Sequence, residues 1–305
     1  MGRAQVRVAA VDIGTNTVRM LVADVDGIRI EDVDRAVDVV GLGRGLDRSG
    51  AMAPESIGVA VAALTGYGRR IHEANPSRIR VVATSAARDA SNSGELMERI
   101  EAVLGVAPDV ISGEAEAALA FAGAVWGVGS PGRHLVIDLG GGSTEFVSGF
   151  EHPDVAVSVD IGSVRLTDRL LAARPPTSAE LERARLEVRK MFATVSIPGP
   201  PRGVIGVAGT FTSLAAIHLG LKRYDRAKVH RMRLALGDLD GLVARLADMT
   251  LEETAAIPSL DPMRAPVILA GAVVATEAVR RSGSKSVMVS EADMLEGIVL
   301  ALSRE

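Results

Sequence analysis

Two stretches of this chain repeat one order of residue types. Val8-Ala9-Ala10-Val11-Asp12-Ile13-Gly14-Thr15-Asn16-Thr17 and Leu135-Val136-Ile137-Asp138-Leu139-Gly140-Gly141-Gly142-Ser143-Thr144 each run from apolar residues into Asp-x-Gly, then small polar residues, then apolar residues again. The pattern reads as strand, carboxylate, tight turn and strand, once in each half of the chain. Glycine and short polar residues let a turn's backbone approach an anion and present N–H groups and hydroxyls to it. The Asp at the end of each strand supplies the opposite charge, which suits Mg2+ or its waters beside a bound oxyanion. One Asp-Gly turn is common in ordinary hairpins. Two in matching places point to ligand binding.

With 305 residues and 48% hydrophobic content, the chain can build two cores. It has no cysteine, which excludes disulfides, a thiol nucleophile and a Cys-bound metal. His72, His134, His152, His218 and His230 lack metal-ligand spacing, so a hard, oxygen-bound metal is expected rather than zinc. A net charge of -4 argues against broad nucleic-acid binding. The apolar run 267–279 carries Glu277 and is expected to be too short to span a membrane. The first strand follows the N-terminus closely, so no leader is expected and a cytoplasmic protein is the default.

Alternating strand and helix patterns predict α/β layers. A hairpin is expected over 6–11 and 18–25 with a third strand within 28–40, and Pro54 opens a helix to about Ala74. A strand over 79–83 runs into Thr84-Ser85-Ala86-Ala87-Arg88-Asp89, with helices near 94–104 and over 114–126. Gly127-Val128-Gly129-Ser130-Pro131-Gly132 then breaks the chain, which sets expected domains at 1–126 and 127–305. Thr177-Ser178-Ala179-Glu180 is a capping box for a helix to about Thr194. A strand over 203–208 meets Gly209-Thr210 at the mouth of another helix, a third anion cradle unless the pair merely caps that helix, and helices are expected to dominate from 237 onward.

These motifs, with Ile111-Ser112-Gly113-Glu114-Ala115-Glu116-Ala117, Ile161-Gly162-Ser163-Val164-Arg165-Leu166-Thr167 and Gly206-Val207-Ala208-Gly209-Thr210, resemble the exopolyphosphatase and guanosine pentaphosphate phosphatase family in its own order. The resemblance implies an α/β fold of two ribonuclease-H-like domains, within the actin-like ATPase superfamily, with an interdomain active-site cleft. It also implies a homodimer. The family's helix-opening motif carries two adjacent glutamates. Here Ala115 replaces one of them, Glu116 matches the catalytic base, and Glu114 occupies a variable slot.

By the same resemblance Asp12, Asp138 and Glu145 are the expected metal site. Gly14, Thr15, Asn16, Thr17, Gly141, Gly142, Ser143, Thr144, Gly209 and Thr210 are expected to bind substrate. The local chemistry leaves plainer readings beside these. Glu116 could be a first-turn carboxylate that favours the helix dipole, Glu145 a solvent-facing strand residue, and Arg88 the partner of Asp89. A guanidinium fork nonetheless suits phosphate oxygens better than an ammonium does, so Arg88 is expected to act beside Glu116. Segment 222–233 holds Lys222, Arg223, Arg226, Lys228, Arg231 and Arg233, either a solvated face or a track for a polyanion, with Arg44 and Arg48 as candidate extensions of that track.

The expected activity is Mg2+-dependent hydrolysis of terminal phosphate from inorganic polyphosphate, with water as nucleophile and Glu116 as base. Guanosine pentaphosphate 5′-phosphatase is the alternative enzyme. A non-catalytic polyphosphate or alarmone sensor is the alternative from another class, and a sugar-kinase-like ATPase the competitor at the level of fold.

Overall fold

Alternation along the first strand separates two faces. β1 (Val6–Ile13) sends Ala9, Val11 and Ile13 into one apolar cluster and Val8 and Ala10 into another. β2 (Thr17–Asp26) pairs antiparallel with β1 and divides in the same way, Val18, Met20 and Val22 on the first face and Leu21, Ala23 and Val25 on the second. These elements come from a computed structural model that describes residues 5–199 and 201–304. The first four residues, on which the expectation of no leader partly rests, lie outside the described residues.

The chain continues through β3 (Arg29–Val39), α1 (Leu46–Ser49), α2 (Pro54–Ala74), β4 (Arg78–Ala83), α3 (Ser85–Asp89), α4 (Ser93–Leu104), β5 (Asp109–Val110) and α5 (Gly113–Val128). The sheet order is β3-β2-β1-β4-β5, with an antiparallel β1-β2-β3 meander followed by parallel strands, the ribonuclease-H-like layout. Ile57, Leu64 and Tyr67 of α2 and Leu96 and Ile100 of α4 cover the first face. Ala120 of α5 and Leu295, Ile298 and Val299 of the closing helix Met294–Leu302 cover the second. Gly297 lets that helix approach α5, because a Cβ there would collide with the Leu119 carbonyl.

The other half repeats the meander as β6 (His134–Leu139), β7 (Thr144–Gly149) and β8 (Pro153–Val159). It continues with α6 (Ser163–Leu170), α7 (Ser178–Phe192), β9 (Gly203–Val207), α8 (Ala208–His218), α9 (Arg226–Val229), β10 (Arg233–Ala235), α10 (Leu236–Ala247), α11 (Leu251–Ala255), α12 (Ala265–Arg281) and β11 (Ser286–Val289). Sheet order is β10-β11-β9-β6-β7-β8. The capping box at Thr177 and Glu180 forms as expected and starts α7.

The chain divides into Met1–Gly123 together with Met294–Glu305, and Ala124–Asp293. This differs from the expected domains 1–126 and 127–305 in two respects. The division falls inside α5, ahead of the glycine-rich break, and the closing helix belongs with the first unit because its apolar face fills that unit's second cluster. Two strands, β10 and β11, also interrupt the region expected to be helical or basic surface.

The apolar 267–279 run sits within a longer element than expected. With its preceding 3-10 turn, helix Pro262–Arg281 is long and apolar enough to cross a membrane by length and composition, yet 78% of that window is buried. Its Glu277 is held by Arg189 and Arg280, and its apolar residues form the centre of the second unit's core.

Candidate active site

Period-two alternation puts Asp12 on the same sheet face as Val8 and Ala10, the face that α5 covers. Its register partner on β2 is Arg19, whose Nε donates to Asp12 Oδ2 at 2.8 Å. The first turn of α5 carries Glu116, only 8% exposed. Arg88, from the short α3 after β4, donates through Nη1 to Glu116 Oε2 at 2.9 Å and to the Ile111 carbonyl at 2.8 Å. Glu116 Oε1 has no hydrogen-bond partner among the described residues.

Burial pushes the Glu116 carboxyl above the usual carboxylate range. The Arg88 guanidinium is the strongest opposing influence, the Asp12 charge adds to the rise, and Arg19 opposes it. A carboxylate raised in this way is a stronger base than an exposed one. Glu114 is exposed, and hydrogen bonds from its own backbone and from Ser112 hold it below the usual range. Arg88 therefore pairs with Glu116 rather than with Asp89, the plainer expectation. Arg19 was missed by sequence reading. Its signal is positional: residues 12 and 19 face each other across the turn that follows β1.

The turns themselves close alike, Gly14 N–H donating to the Thr17 carbonyl at 2.9 Å and Gly140 N–H to the Ser143 carbonyl at 3.1 Å. Thr15, Asn16 and Ser143 are buried in their respective turns. Thr144 differs from its expected substrate-binding place, since its hydroxyl donates inward to the Ile161 carbonyl at 2.6 Å.

In the second unit Asp138 and Glu145 are register partners, at the position that Asp12 and Arg19 occupy in the first. They lie on the sheet face opposite Ile137 and Phe146 and are 7% and 1% exposed. Glu145 is therefore not the solvent-facing residue of the plainer reading; its Oε1 accepts from Ser158 Oγ at 2.7 Å. Directly opposed strand residues have Cβ atoms about 5 Å apart. Two buried carboxylates so placed present oxygen donors of the kind a hard cation takes, and Asp12 is engaged by Arg19. Among the described residues no group of three or more His, Cys, Asp or Glu could hold a metal. An ion at Asp138 and Glu145 would thus keep water or substrate oxygens in its shell, the habit of Mg2+.

Gly209 and Thr210 stand at the start of α8, where Ala208 has φ of 70°. A Cβ at Gly209 would run into the Arg264 guanidinium, which places a second overlooked cation against this turn. In the basic segment, Arg226 Nε donates to Glu291 at 3.0 Å, Arg231 to the Gly127 carbonyl at 2.9 Å, and Lys228 pairs with Asp225 at 3.4 Å. Arg226 and Arg231 thus support local structure, while Lys222, Arg223, Lys228 and Arg233 are exposed. Arg44 folds back against Gly41 and Arg48 is exposed.

A family model described as the Ppx/GppA phosphatase family matches residues 21–304. Exopolyphosphatase 2 of Mycobacterium tuberculosis is 43% identical over 98% of this chain and 99% of its own. The crystal structure of an exopolyphosphatase-like protein superposes with TM-score 0.92 at 37% identity, covering 99% of both chains. The Ppx/GppA family member of Aquifex aeolicus superposes with TM-score 0.83 at 29% identity, covering 98% of this chain and 97% of the other.

Proposed function

Because this chain belongs to the Ppx/GppA phosphatase family, it is a phosphoanhydride hydrolase, and we propose that it is an Mg2+-dependent exopolyphosphatase. The observation that carries the proposal is Glu116, a buried carboxylate of raised pKa, oriented by Arg88 through one oxygen and with the other lacking a protein partner. Glu116 Oε1 takes the proton of the attacking water as its oxygen bonds to the terminal phosphorus. The bridging oxygen leaves with the shortened chain. Arg88 fixes the carboxylate's orientation and places positive charge beside the reacting phosphoryl group, while the 14–17 turn offers amides and hydroxyls to phosphate oxygens.

Proteins of this family generally depend on a divalent metal. Asp138 and Glu145 would hold Mg2+, which supplies charge neutralisation for phosphoanhydride oxygens. The choice of inorganic polyphosphate over guanosine pentaphosphate follows the names of the similar exopolyphosphatases. The buried base argues against a sensor without catalysis. A homodimer belongs to the same reading and rests on the family resemblance; a cytoplasmic setting is proposed beside it as the default read from the sequence.

Phosphate release from long-chain polyphosphate and from guanosine pentaphosphate, each with Mg2+ and with chelator, tests the proposal. Higher kcat/KM on polyphosphate and loss of activity with chelator are expected. Faster turnover of guanosine pentaphosphate would reverse the substrate assignment, and activity unaffected by chelator would remove the metal.

A further inference from the structure

Each turn is held from behind by the segment that follows the third strand of its own meander. In the first unit, Gly43 N–H donates to the Thr15 carbonyl at 2.8 Å, and Val40 and Gly41 N–H donate to the Asn16 carbonyl at 2.9 and 3.0 Å. In the second, Ser163 N–H donates to the Gly140 carbonyl at 3.1 Å, Val164 and Arg165 N–H to the Gly141 carbonyl at 2.9 and 3.1 Å, and Arg165 Nε to the Gly142 carbonyl at 2.9 Å. Thr15 and Gly141 occupy equivalent places in the two turns.

Across a planar trans peptide the carbonyl of one residue and the N–H of the next point in opposite directions. Fixing the carbonyls of Thr15, Gly140, Gly141 and Gly142 from behind therefore turns the amides of Asn16, Gly141, Gly142 and Ser143 to the other side. Among the described residues, none of these four amides makes a backbone hydrogen bond. The close approach needs glycine. A Cβ on Gly43 would overlap the Thr15 methyl, and a Cβ on Gly162 would lie 2.5 Å from the carbonyl carbon and oxygen of Gly141.

We propose that Gly43 and Gly162 are positioning residues for catalysis, in which segments 40–43 and 160–165 take up the carbonyls of their own turns so that each turn's amides are turned outward to phosphate oxygens. This rests on the reading of the turns as phosphate sites. Both glycines act through the turns they support, having no side chain to reach a ligand. The two units differ in a way that makes the idea testable. At Gly43 the obstruction is a side-chain methyl, so a second substitution can remove it; at Gly162 it is main chain, so none can.

The experiment measures kcat, KM, the inhibition constant of inorganic phosphate and the melting temperature for the full chain and its variants. Gly43→Ala should lower kcat/KM at least about tenfold and weaken phosphate inhibition at nearly unchanged melting temperature, since misplacement on the ångström scale is costly to positioned chemistry. Adding Thr15→Ser, which deletes the methyl and keeps the hydroxyl, should bring the double variant close to Thr15→Ser alone. Gly162→Ala should lose activity as Gly43→Ala does.

Gly43→Ala with parental kinetics and phosphate inhibition would overturn the proposal. So would a folded double variant no better than Gly43→Ala. If Gly43→Ala does not fold, the double variant decides: activity near that of Thr15→Ser supports the proposal, and a folded but inactive double variant overturns it. A parent protein insensitive to inorganic phosphate would instead remove the phosphate reading of the turns, whereas a sensitive parent and an equally sensitive Gly43→Ala would remove only the positioning role.

Discussion

Replacing Glu116 with Gln should move activity and stability in opposite directions. Loss of a general base typically costs at least about a hundredfold in kcat, or about 2.7 kcal/mol of barrier. Gln retains the shape and an oxygen that can accept from Arg88 Nη1, and Arg88 keeps its bond to the Ile111 carbonyl. Folding raises the Glu116 pKa, with burial outweighing the Arg88 charge, so the folded state binds this proton more tightly than the unfolded chain does. The group therefore favours folding below its unfolded pKa, and that contribution is lost as pH rises through the folded value. Gln lacks the titration, so at neutral pH the variant should be at least as stable as the parent. In acid, where Glu116 is protonated, the two should converge. Phosphate-release kinetics and thermal melts at neutral and acidic pH test both halves. A melting temperature lowered by several degrees along with activity would make Glu116 a structural ion-pair residue and refute the base assignment.

On the proposed metal site, Asp138→Asn or Glu145→Gln should move the Mg2+ midpoint for activity upward by roughly tenfold or more, as removing one of two hard ligands would. Asp12→Asn should lower turnover with that midpoint unmoved, because Arg19 already engages Asp12; a matching shift in its metal titration would place Asp12 among the ligands. Changing Lys222, Arg223, Lys228 and Arg233 together to Gln should raise KM for long polyphosphate more than for triphosphate, and the difference should shrink with added salt. Equal effects on both substrates would leave these residues as solvated surface. Ala208→Gly should stabilise the protein by about 0.5–1 kcal/mol, because a left-handed Ala is strained and the gain is partly offset by chain entropy; a lower urea midpoint would reject the strain.

Legibility in the sequence follows how local each feature is. The helix at Pro54, the capping box at Thr177 and both Asp-Gly turns depend on neighbours a few residues away, and each lies where its pattern places it. The strands β10 and β11 are short and draw their identity from pairing, with Arg233 opposite Met288 and Leu234 opposite Val287, so no period-two run announces them. Arg19 and Arg264 needed register and tertiary contact, and hence three dimensions, to become visible. Glu116 and Arg88 stand 28 positions apart, and only β4 and the start of α5 bring them within 2.9 Å. Thr144 shows the converse. It carries the right chemistry for the turn, but strand alternation points its hydroxyl inward.

The allocation of the closing helix makes the two units differ in how their cores are assembled from the chain. Ala124–Asp293 is one uninterrupted stretch, and every residue of its core precedes Met294 in the chain. The first unit draws on both ends of the described chain: without Leu295, Ile298 and Val299 the sheet face carrying Val8, Ala10, Leu21 and Ala23 would lack part of its cover. That same face carries Asp12 and Arg19, so a change that loosens the closing helix is expected to reach the first turn through the sheet face they share.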